Sequence, residues 1–484
     1  MTIEEFQALE LQELVQDFET YVDKLYSKDT HYEENIDTWM DEYGMEHDIF
    51  ERPDKQIGSG STSKIVEQAK LGIPFQKKIV NSAVSFLFGD PVNIVKNNKE
   101  ESFDKLYSNF IESYDGAKLD YHNKKLARRL FVESRVAELL YIRPYETGDE
   151  PTEENPEPKK TLTKKLKVLL LCRKNGDEIY PVFDGYGDMT AFIRKYDYED
   201  LSGDAVKTVQ KIELYTAKFY YFAKKSDDWS VEKFPNVFGK IPVIYYEQDD
   251  SEWADVQSLI NRVELLISKN ADTNDYFGSP AVVSKGKLKT APEKGEVGKF
   301  FEIEPVVSEG NTTYGDIEYL TWDVAPEAMK LEYEMLKDLI FSQTDTPDLS
   351  FNNVKGIGDL SGIAMKFMFW GSLLKAKDKQ EVFGENLERR NNLIKAMLSK
   401  SNLTGNKGME DLDLSIEFQE SLPQNTMEMV ELLVSATGGK AIMSQETAIQ
   451  QNPLVDSPQD EVDAVKEEEK LLNAIPESYG VPTS

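Results

Sequence analysis

The sequence predicts a mainly helical α+β fold, organised as two to four domains or as one elongated protomer with lobes. Three patterns support this prediction: long apolar stretches with helical period, short alternating strands over 161–247, and a small β-type insertion over 280–322 between two helices. With 484 residues, 40% of them hydrophobic and 11% aromatic, the chain can bury sizeable cores. We therefore expect antiparallel sheet in two separate parts of a folded protein.

The chain is strongly acidic, with a formal net charge of −32. This charge argues against tight, salt-driven binding of nucleic acid, which needs Lys and Arg to neutralise phosphates. An acidic surface still suits a protein that lets DNA slide past it, because repulsion prevents sticking. The single cysteine, Cys172, lies in an apolar run and is expected to be a buried thiol rather than half of a disulfide. Neither a signal peptide nor a membrane span is expected.

The N-terminal half begins with an acidic segment, since residues 1–60 carry 17 Asp and Glu against 4 Lys and Arg. Apolar residues recur there at helical spacing, which predicts a solvated helix with one packing face; they are Phe6, Leu9, Leu14, Phe18, Tyr21 and Val22. A very apolar helix follows over 74–88, then two helices and a strand over 101–145. The Pro- and Glu-rich stretch 146–160 reads as an exposed loop, and an antiparallel meander follows it to Glu247.

The second half begins with a helix over 253–276 and continues, after the β-type insertion, with a helix over 326–342. The second helix has an apolar face formed by Leu331, Met335, Leu336 and Leu339. Two helices that bracket a small β insertion indicate an antiparallel stalk with a knob at its end. A long helix over 362–400, a strand over 411–420 and an acidic helical portion over 425–484 complete the chain.

The stretch from Thr346 to Trp370 separates the stalk from the long helix. Its glycines at 356, 358 and 362 are interpreted as hinges where a loop turns into a helix. The long helix itself carries 8 Lys and Arg against 4 Asp and Glu over 361–400, unusual in so acidic a chain.

The sequence offers little for catalysis. The histidines, His31, His47 and His122, stand in no metal-binding arrangement, and a nucleophile elbow with a partner histidine is lacking. GIGDLSG at 356–362 departs from the dinucleotide fingerprint, and TGGK at 437–440 departs from a phosphate-binding loop. We therefore expect no catalytic residue, no metal site and no cofactor.

Several local patterns in one order resemble the portal proteins of tailed bacteriophages. They are IPFQKKIVNSAVSFLFGDPVNI, LFVESRVAELLYIRP, GKIPVIYYE with the helix through ISKNADTNDYFGSPAVVSKG, TPDLSF with GDLSGIAMKFMFWGSLLKAK, and SQETAIQQNPLVDSPQDE. The resemblance covers about residues 70–460 and rests on the combined order of these pieces. The N-terminal 60 residues and the 146–160 loop have no counterpart in it.

The resemblance implies an elongated protomer divided into wing, stem, clip and crown, with antiparallel β-structure in wing and clip. Placed by position, the regions are wing 1–250, stem helix 251–276, clip 277–325, stem helix 326–345, tunnel loop 346–360, long helix and wing 361–424, and crown 425–484.

The resemblance also implies a non-enzymatic role. Portal proteins form a ring, usually of twelve copies, at one capsid vertex, and double-stranded DNA passes through the channel during packaging and ejection. The implied partners are other copies of the chain, the viral DNA, the terminase large subunit, head-completion or adaptor proteins, the major capsid protein and scaffold. Within such a ring, the 361–400 helix is a candidate for charge pairing between subunits. Assembly in the bacterial host cytoplasm, location in the virion and no membrane contact follow from the same likeness.

Particular residues can be assigned to these roles as expectations. Near the narrowest point of the channel, the resemblance places Asn352, Asn353, Val354 and Lys355 against DNA, with Gly356, Gly358 and Gly362 as hinges. In the clip, the candidates for terminase docking are Lys285, Lys287, Lys289, Lys294 and Lys299.

Two alternatives remain open at this stage. The first is another structural head or connector protein without a DNA channel. The second is a metal-dependent nucleic-acid-processing enzyme, such as a nuclease or nucleotidyltransferase. The helix–β–helix insertion favours the portal over the first, because a knob on a stalk suits docking. The scattered histidines and negative charge argue against the second.

Overall fold

A computed structural model gives the architecture of the chain. The structure describes residues 1–57, 63–147, 161–200, 207–225, 228–277, 281–284, 287–290, 302–304, 306–308, 311–313, 317–320, 326–349, 362–401, 406–419, 426–438, 441–452, 454–455 and 458–473. Helical residues outnumber strand residues in these ranges, which confirms the mainly helical α+β class.

The α-helices lie in two groups separated by the central strands. They are α1 Ile3–Ala8, α2 Leu11–Gln16, α3 Phe18–Asp23, α4 Thr30–Gly44, α5 Phe75–Phe88, α6 Asp104–Gly116, α7 Leu119–Glu133, α8 Gln257–Phe277, α9 Pro326–Gln343, α10 Gly362–Met368, α11 Trp370–Lys400, α12 Thr426–Thr437, α13 Gln445–Gln450 and α14 Pro458–Asn473.

The strands are short except in the middle of the chain. They are β1 Lys55–Ile57, β2 Lys64–Val66, β3 Asn93–Lys96, β4 Arg135–Thr147, β5 Thr161–Leu171, β6 Glu178–Phe183, β7 Met189–Asp200, β8 Lys207–Thr216, β9 Phe219–Lys225, β10 Trp229–Pro235, β11 Val243–Glu247, β12 Ala281–Ser284, β13 Lys287–Thr290, β14 Glu302–Glu304, β15 Val306–Ser308, β16 Asn311–Thr313, β17 Ile317–Leu320 and β18 Leu414–Glu417.

In the region predicted to be a meander, the first and last strands, β5 and β11, pair with β4 in a separate sheet. The strands between them form a five-stranded antiparallel sheet in the order β10-β9-β8-β7-β6. Because side chains alternate across a strand, this sheet presents two different faces. One face packs against the N-terminal helices, where Phe6, Leu14 and Phe18 are fully buried against residues such as Tyr221 and Trp229. The predicted packing face of the N-terminal segment is therefore confirmed.

The prediction of a single N-terminal helix is wrong, since residues 3–23 form three helices of six residues each and α4 follows within the same acidic segment. The acidic residues at the breaks explain this. The Asp17 carboxylate accepts from the Thr20 amide, and Glu10 forms a reciprocal capping arrangement with Glu13. Each break lets the chain bend and keep its apolar residues on the sheet.

The other face of the five-stranded sheet packs on a three-stranded sheet in the order β11-β4-β5. Phe192 and Tyr215 from the larger sheet meet Ala137, Val243 and Tyr245 from the smaller one. The result is a two-sheet sandwich with helices on its outer face.

The largest core lies on the far side of the three-stranded sheet. Helix α5 packs against α7 and α11, and β18 pairs with β3, so the chain after residue 362 completes a core begun before residue 250. The start of α8 and the end of α9 enter this core through Ile260 and Ile340, both of which are fully buried. The two stalk helices are therefore rooted in the same core as the long helix.

The long helix predicted over 362–400 is broken at Phe369 into α10 and α11. Phe369 is buried, and its ring lies 5.8 Å from that of Phe86 on α5. Its neighbours Phe367 and Trp370 are 73% and 51% exposed. At the break, Phe369 itself leaves the helical conformation, with φ of −101° and ψ of 13°.

Among the helices of the described residues, none combines the length and the apolar character needed to cross a bilayer.

Candidate functional site

The segment that the sequence singles out, 346–360, is described only at its beginning. Asn352, Asn353, Val354 and Lys355 lie outside the described residues, as do Gly356 and Gly358. Gly362 is the first residue of α10, so this predicted hinge lies where a helix starts. The structure does show how both ends of the segment are held.

The incoming end is fixed immediately after α9. Asp345 adopts a left-handed conformation with φ of 51°, and the chain then returns so that the Thr346 amide donates to the Phe341 carbonyl at 2.9 Å. Two buried hydroxyls, those of Thr344 and Thr346, lie 3.0 Å apart. Asp348 forms an ion pair with Lys337 of α9 at 2.8 Å, and hydrogen bonding to Asp348 raises the pKa of Lys337.

The outgoing end contacts the incoming one directly. The Ser372 hydroxyl on α11 donates to the Asp345 carbonyl at 2.6 Å. Next to it, a Cβ atom added to Gly371 would lie 2.5 Å from the Asp345 carboxylate, so a larger residue there would have to displace the exposed Asp345 side chain. Asp345 and Ser372 are therefore held side by side, and we call this pair of anchored ends the loop base.

A buried carboxylate joins this base to both stalk helices. Glu252, just before α8, pairs with Lys375 at 2.7 Å and also with Lys379. Lys375 donates in addition to the Thr344 carbonyl at the end of α9, at 3.0 Å. Burial favours the neutral carboxyl, yet the two lysines hold the pKa of Glu252 below its usual range. One lysine thus contacts the ends of both stalk helices.

The stalk helices α8 and α9 run antiparallel, as predicted. The Arg262 guanidinium on α8 donates two hydrogen bonds to one carboxylate oxygen of Glu332 on α9, at 2.9 and 2.6 Å. Further along, a cleft of about 310 Å³ between the helices is lined by Leu266, Ile267, Asn270, Met329, Lys330 and Tyr333.

The apolar face predicted for α9 is divided in the structure. Leu336 packs toward the core, whereas Leu331, Met335 and Leu339 are 58%, 57% and 44% exposed. These three residues recur at four-residue intervals and so form one stripe along the helix. We call them the α9 stripe.

Between α8 and α9 the chain forms three antiparallel strand pairs: β12 with β17, β13 with β14, and β15 with β16. The predicted β-type insertion is therefore present. Of its candidate docking lysines, Lys287 and Lys289 lie on β13. Lys285, Lys294 and Lys299 lie outside the described residues.

The positive charge of the 361–400 segment has partners within the chain. Arg389 pairs with Glu385 and Arg390 with Glu138, whereas Lys395 and Lys400 donate to backbone carbonyls of Leu412 and Phe238. Lys375 and Lys379 already share Glu252. Charge pairing between subunits stays a prediction, but these six cations are engaged inside one protomer.

Sequence reasoning missed a buried polar network in the main core. The Arg390 guanidinium donates to Glu138 at 2.7 Å and to the Asn123 carbonyl oxygen at 2.6 Å, and Glu138 also meets His122 at 3.0 Å and accepts from the Tyr246 hydroxyl at 2.8 Å. Burial opposes ionisation of Glu138, but Arg390 and His122 hold its pKa at about 2. The network joins α7, β4, β11 and α11.

The described residues contain no cluster of His, Cys, Asp and Glu that could hold a metal ion. Cys172 is buried as expected, and burial raises the pKa of its thiol to about 12.

Comparison with known proteins decides the family. A family model described as phage portal protein, SPP1 Gp6-like, matches residues 22–472. The chain belongs to this portal protein family. The resemblance read from the sequence is confirmed, and the match reaches further toward the N-terminus than the 70–460 of that resemblance.

Individual relatives are distant. The portal protein of Bacillus phage SPP1 is 24% identical over 304 residues, which cover 58% of this chain. The match spans 57% of the length of that curated portal protein. Among solved structures, a chain from the neck of an empty GTA particle, computed with C6 symmetry, has 9% identity and a TM-score of 0.36. That alignment covers 78% of this portal family member and 89% of the solved chain.

Proposed function

We propose that this chain assembles into a ring that forms a channel at one vertex of a phage capsid. Double-stranded DNA would pass through the channel during packaging and ejection. Membership of the portal family carries this proposal. In this role the chain is a structural component of the virion, and the reaction that drives DNA belongs to another protein.

The α9 stripe supports self-association. Three exposed large apolar side chains on one helix face are costly in water, at roughly 25 cal/mol per Å² of apolar surface. A neighbouring copy in a ring would cover them. Since each copy carries a charge of −32, apolar contacts must outweigh the mutual repulsion of the protomers.

The anchored ends of the 346–371 segment support a channel-facing role for the residues between them. Ser372 and Lys375 hold the outgoing end against the end of α9, through the Asp345 and Thr344 carbonyls. We propose that Asn352, Asn353, Val354 and Lys355 contact passing DNA, with Gly356, Gly358 and Gly362 as hinges. Short neutral side chains and a single lysine would touch the duplex without holding it.

The remaining assignments follow the family. We propose that 277–325 is the clip and docks the terminase large subunit, with Lys285, Lys287, Lys289, Lys294 and Lys299 as candidates. Head-completion or adaptor proteins would replace terminase later. Residues 1–250 and 361–424 would form the wing, 251–276 and 326–345 the stem, and 425–484 the crown, with capsid protein and scaffold as further partners during assembly in the host cytoplasm.

Electron microscopy of the purified protein tests the ring. Top views should show a ring with a central hole, and the symmetry of those views gives the copy number. Particles that stay monomeric with and without scaffold and capsid protein would contradict the proposal.

Substitution of the α9 stripe tests its part in assembly. Leu331→Glu with Met335→Glu should shift the protein from rings to monomers in mass photometry, with an unchanged circular dichroism spectrum. Val237→Glu, at a 67% exposed apolar residue between β10 and β11, is the matched control and should leave rings intact. Rings that form equally well in all three proteins would exclude the stripe from the interface.

A further inference from the structure

An extended segment lies along the stalk helix α8 and joins the N-terminal helices to α5. We call residues 45–57 and 63–73 the strap. Its amides at Ala69, Leu71 and Ile73 donate to side chains of α8, at 2.6, 3.0 and 2.8 Å. The acceptors are Asp272, Ser268 and Glu264, spaced four residues apart on one helix face. Side chains of α8 thus accept the hydrogen bonds that the backbone carbonyls of a neighbouring strand would accept in a sheet.

The first part of the strap, residues 45–57, is held against the same face of α8 by charged and polar groups. Arg52 pairs with Asp272 at 2.8 Å and donates to the Ala69 carbonyl at 2.9 Å. The Asn261 amide of α8 donates to Asp48 at 3.2 Å. These contacts are partly exposed to water, so each contributes modestly.

The buried contact is between His47 and Glu264. The His47 Nδ1 atom lies 2.5 Å from Glu264 Oε1, and its Nε2 atom lies 2.8 Å from the Glu42 carbonyl oxygen. A carboxylate and a carbonyl both only accept, so both ring nitrogens must donate, which requires the imidazolium form. The side chains of His47 and Glu264 are fully shielded from solvent.

The other charged groups around this ring are carboxylates as well. Glu42, on α4, accepts from the Trp253 indole at 2.7 Å, and Asp48 follows His47 in the strap. Burial raises the pKa of the Glu42 carboxyl. The His47 imidazolium is therefore surrounded by acidic groups from α4, from α8 and from the strap itself.

We propose that the strap is a detachable element whose hold on the stalk helix depends on protonation of His47. When the ring is neutral, one of its nitrogens presents a lone pair to an oxygen acceptor, either the Glu42 carbonyl or Glu264. In either tautomer Glu264 loses the positive charge beside it, and in the Nε2–H tautomer it keeps only the Ile73 amide, since its second oxygen has no hydrogen-bond partner in the described residues. An uncompensated buried carboxylate is costly, and moving the strap away from α8 lets water reach it.

The direction of the pH effect follows from the local groups. Burial disfavours the charged ring, but Glu264 and the Glu42 carbonyl raise the pKa of His47 above its usual range. A raised pKa in the attached state means that attachment is complete below about pH 6.5, the unperturbed value, and is lost as pH rises through the raised pKa. Alkaline conditions should loosen the strap while the main core stays closed.

Hydrogen exchange of the full chain tests this device. Between pH 6 and pH 9, after correction for intrinsic exchange, the protection of Ala69, Leu71 and Ile73 should fall at least tenfold in the wild type. Amides of Ile394 and Met397 in the main core serve as the internal reference and should keep their protection. A strap whose corrected protection does not change with pH would overturn the proposal.

Three variants separate the histidine from other causes. His47→Gln and Glu264→Gln should each remove the pH dependence of strap exchange. His31→Gln is the matched control, because His31 is an exposed histidine on Asp250 and should leave the wild-type pattern unchanged. Retention of the full pH dependence in His47→Gln would refute the mechanism.

If the variants do not fold, a titration of the wild-type protein alone still tests the proposal. With three histidines in the sequence, selective ¹³C labelling of histidine gives the pKa of His47 directly. The midpoint of strap release should equal that pKa, and a midpoint elsewhere counts against the proposal. Failure here would leave ring assembly unaffected, because the two measurements are independent.

Discussion

Replacing Arg390 with methionine should destabilise the main core more than any exposed substitution on the same helix. The guanidinium is fully buried and donates to Glu138 and Asn123, at 2.7 and 2.6 Å. Methionine has a similar length but no donor, so Glu138 keeps only His122 and the Tyr246 hydroxyl. Removing one partner of a buried ion pair typically costs about 3–5 kcal/mol.

The lowered pKa of Glu138 allows the contribution of this network to the free energy of folding to be calculated in a second way. A carboxyl with a pKa of about 2 in the folded state and an unfolded pKa near 4.3 gains about 3 kcal/mol on folding at neutral pH. Because the folded pKa is lowered, this stability is complete above about pH 4.3 and is lost as pH falls through 2. In the Arg390→Met variant, burial dominates and raises the pKa of Glu138, so acidification from neutral pH should stabilise the variant.

Urea denaturation followed by circular dichroism, at several pH values, measures both effects. Arg389→Met is the matched control, because Arg389 and Glu385 are 57% and 66% exposed in their side chains. That control should change the free energy of unfolding by less than about 1 kcal/mol. A loss for Arg390→Met no larger than for the control, or the same pH slope as the wild type, would refute the reasoning.

Three further substitutions address single contacts. Lys118→Gly should raise the melting temperature, since Lys118 is exposed with φ of 56° and relief of that strain gains about 0.5–1 kcal/mol; a lower melting temperature would contradict this. Ser372→Ala removes the hydrogen bond to the Asp345 carbonyl and should cost about 1 kcal/mol, with faster amide exchange at the loop base; unchanged exchange would show that the base is held elsewhere. Lys375→Met leaves Glu252 with one lysine and should cost about 1–3 kcal/mol in thermal unfolding, with Lys118→Met as the exposed control.

Local patterns were sufficient for the strands of the central region and for the stalk. Alternation over 161–247 predicted antiparallel strands that end at Glu247, because side-chain period is a property of neighbouring residues, but it did not predict that β5 and β11 leave the meander and pair with β4. The helix predicted over 326–342 is α9, Pro326–Gln343. For these elements the apolar face and the fold agree.

Long-range contacts explain what local patterns did not predict. Glu138 and Arg390 are 252 positions apart, and each alone reads as a charged residue in an amphipathic stretch. Phe369, at the break between α10 and α11, packs against the ring of Phe86 on a different helix. The strap is likewise set by acceptors on α8 about 200 positions away, at separations of 203, 197 and 191 residues. Such pairings arise only when separate elements meet in the folded chain.

Salt dependence distinguishes two ways of holding a ring of acidic protomers. If charge pairs from the 361–400 segment joined neighbours, raising the salt from about 0.05 M to about 0.5 M would screen them and weaken the ring. The structure instead engages six cations of that segment within one protomer and leaves the α9 stripe exposed. We therefore expect salt to strengthen assembly, because screening reduces the repulsion between copies and leaves apolar contacts intact. Mass photometry across this range measures the fraction of protein in rings. A fall in that fraction at high salt would indicate that charge pairs of the 361–400 segment join neighbouring copies.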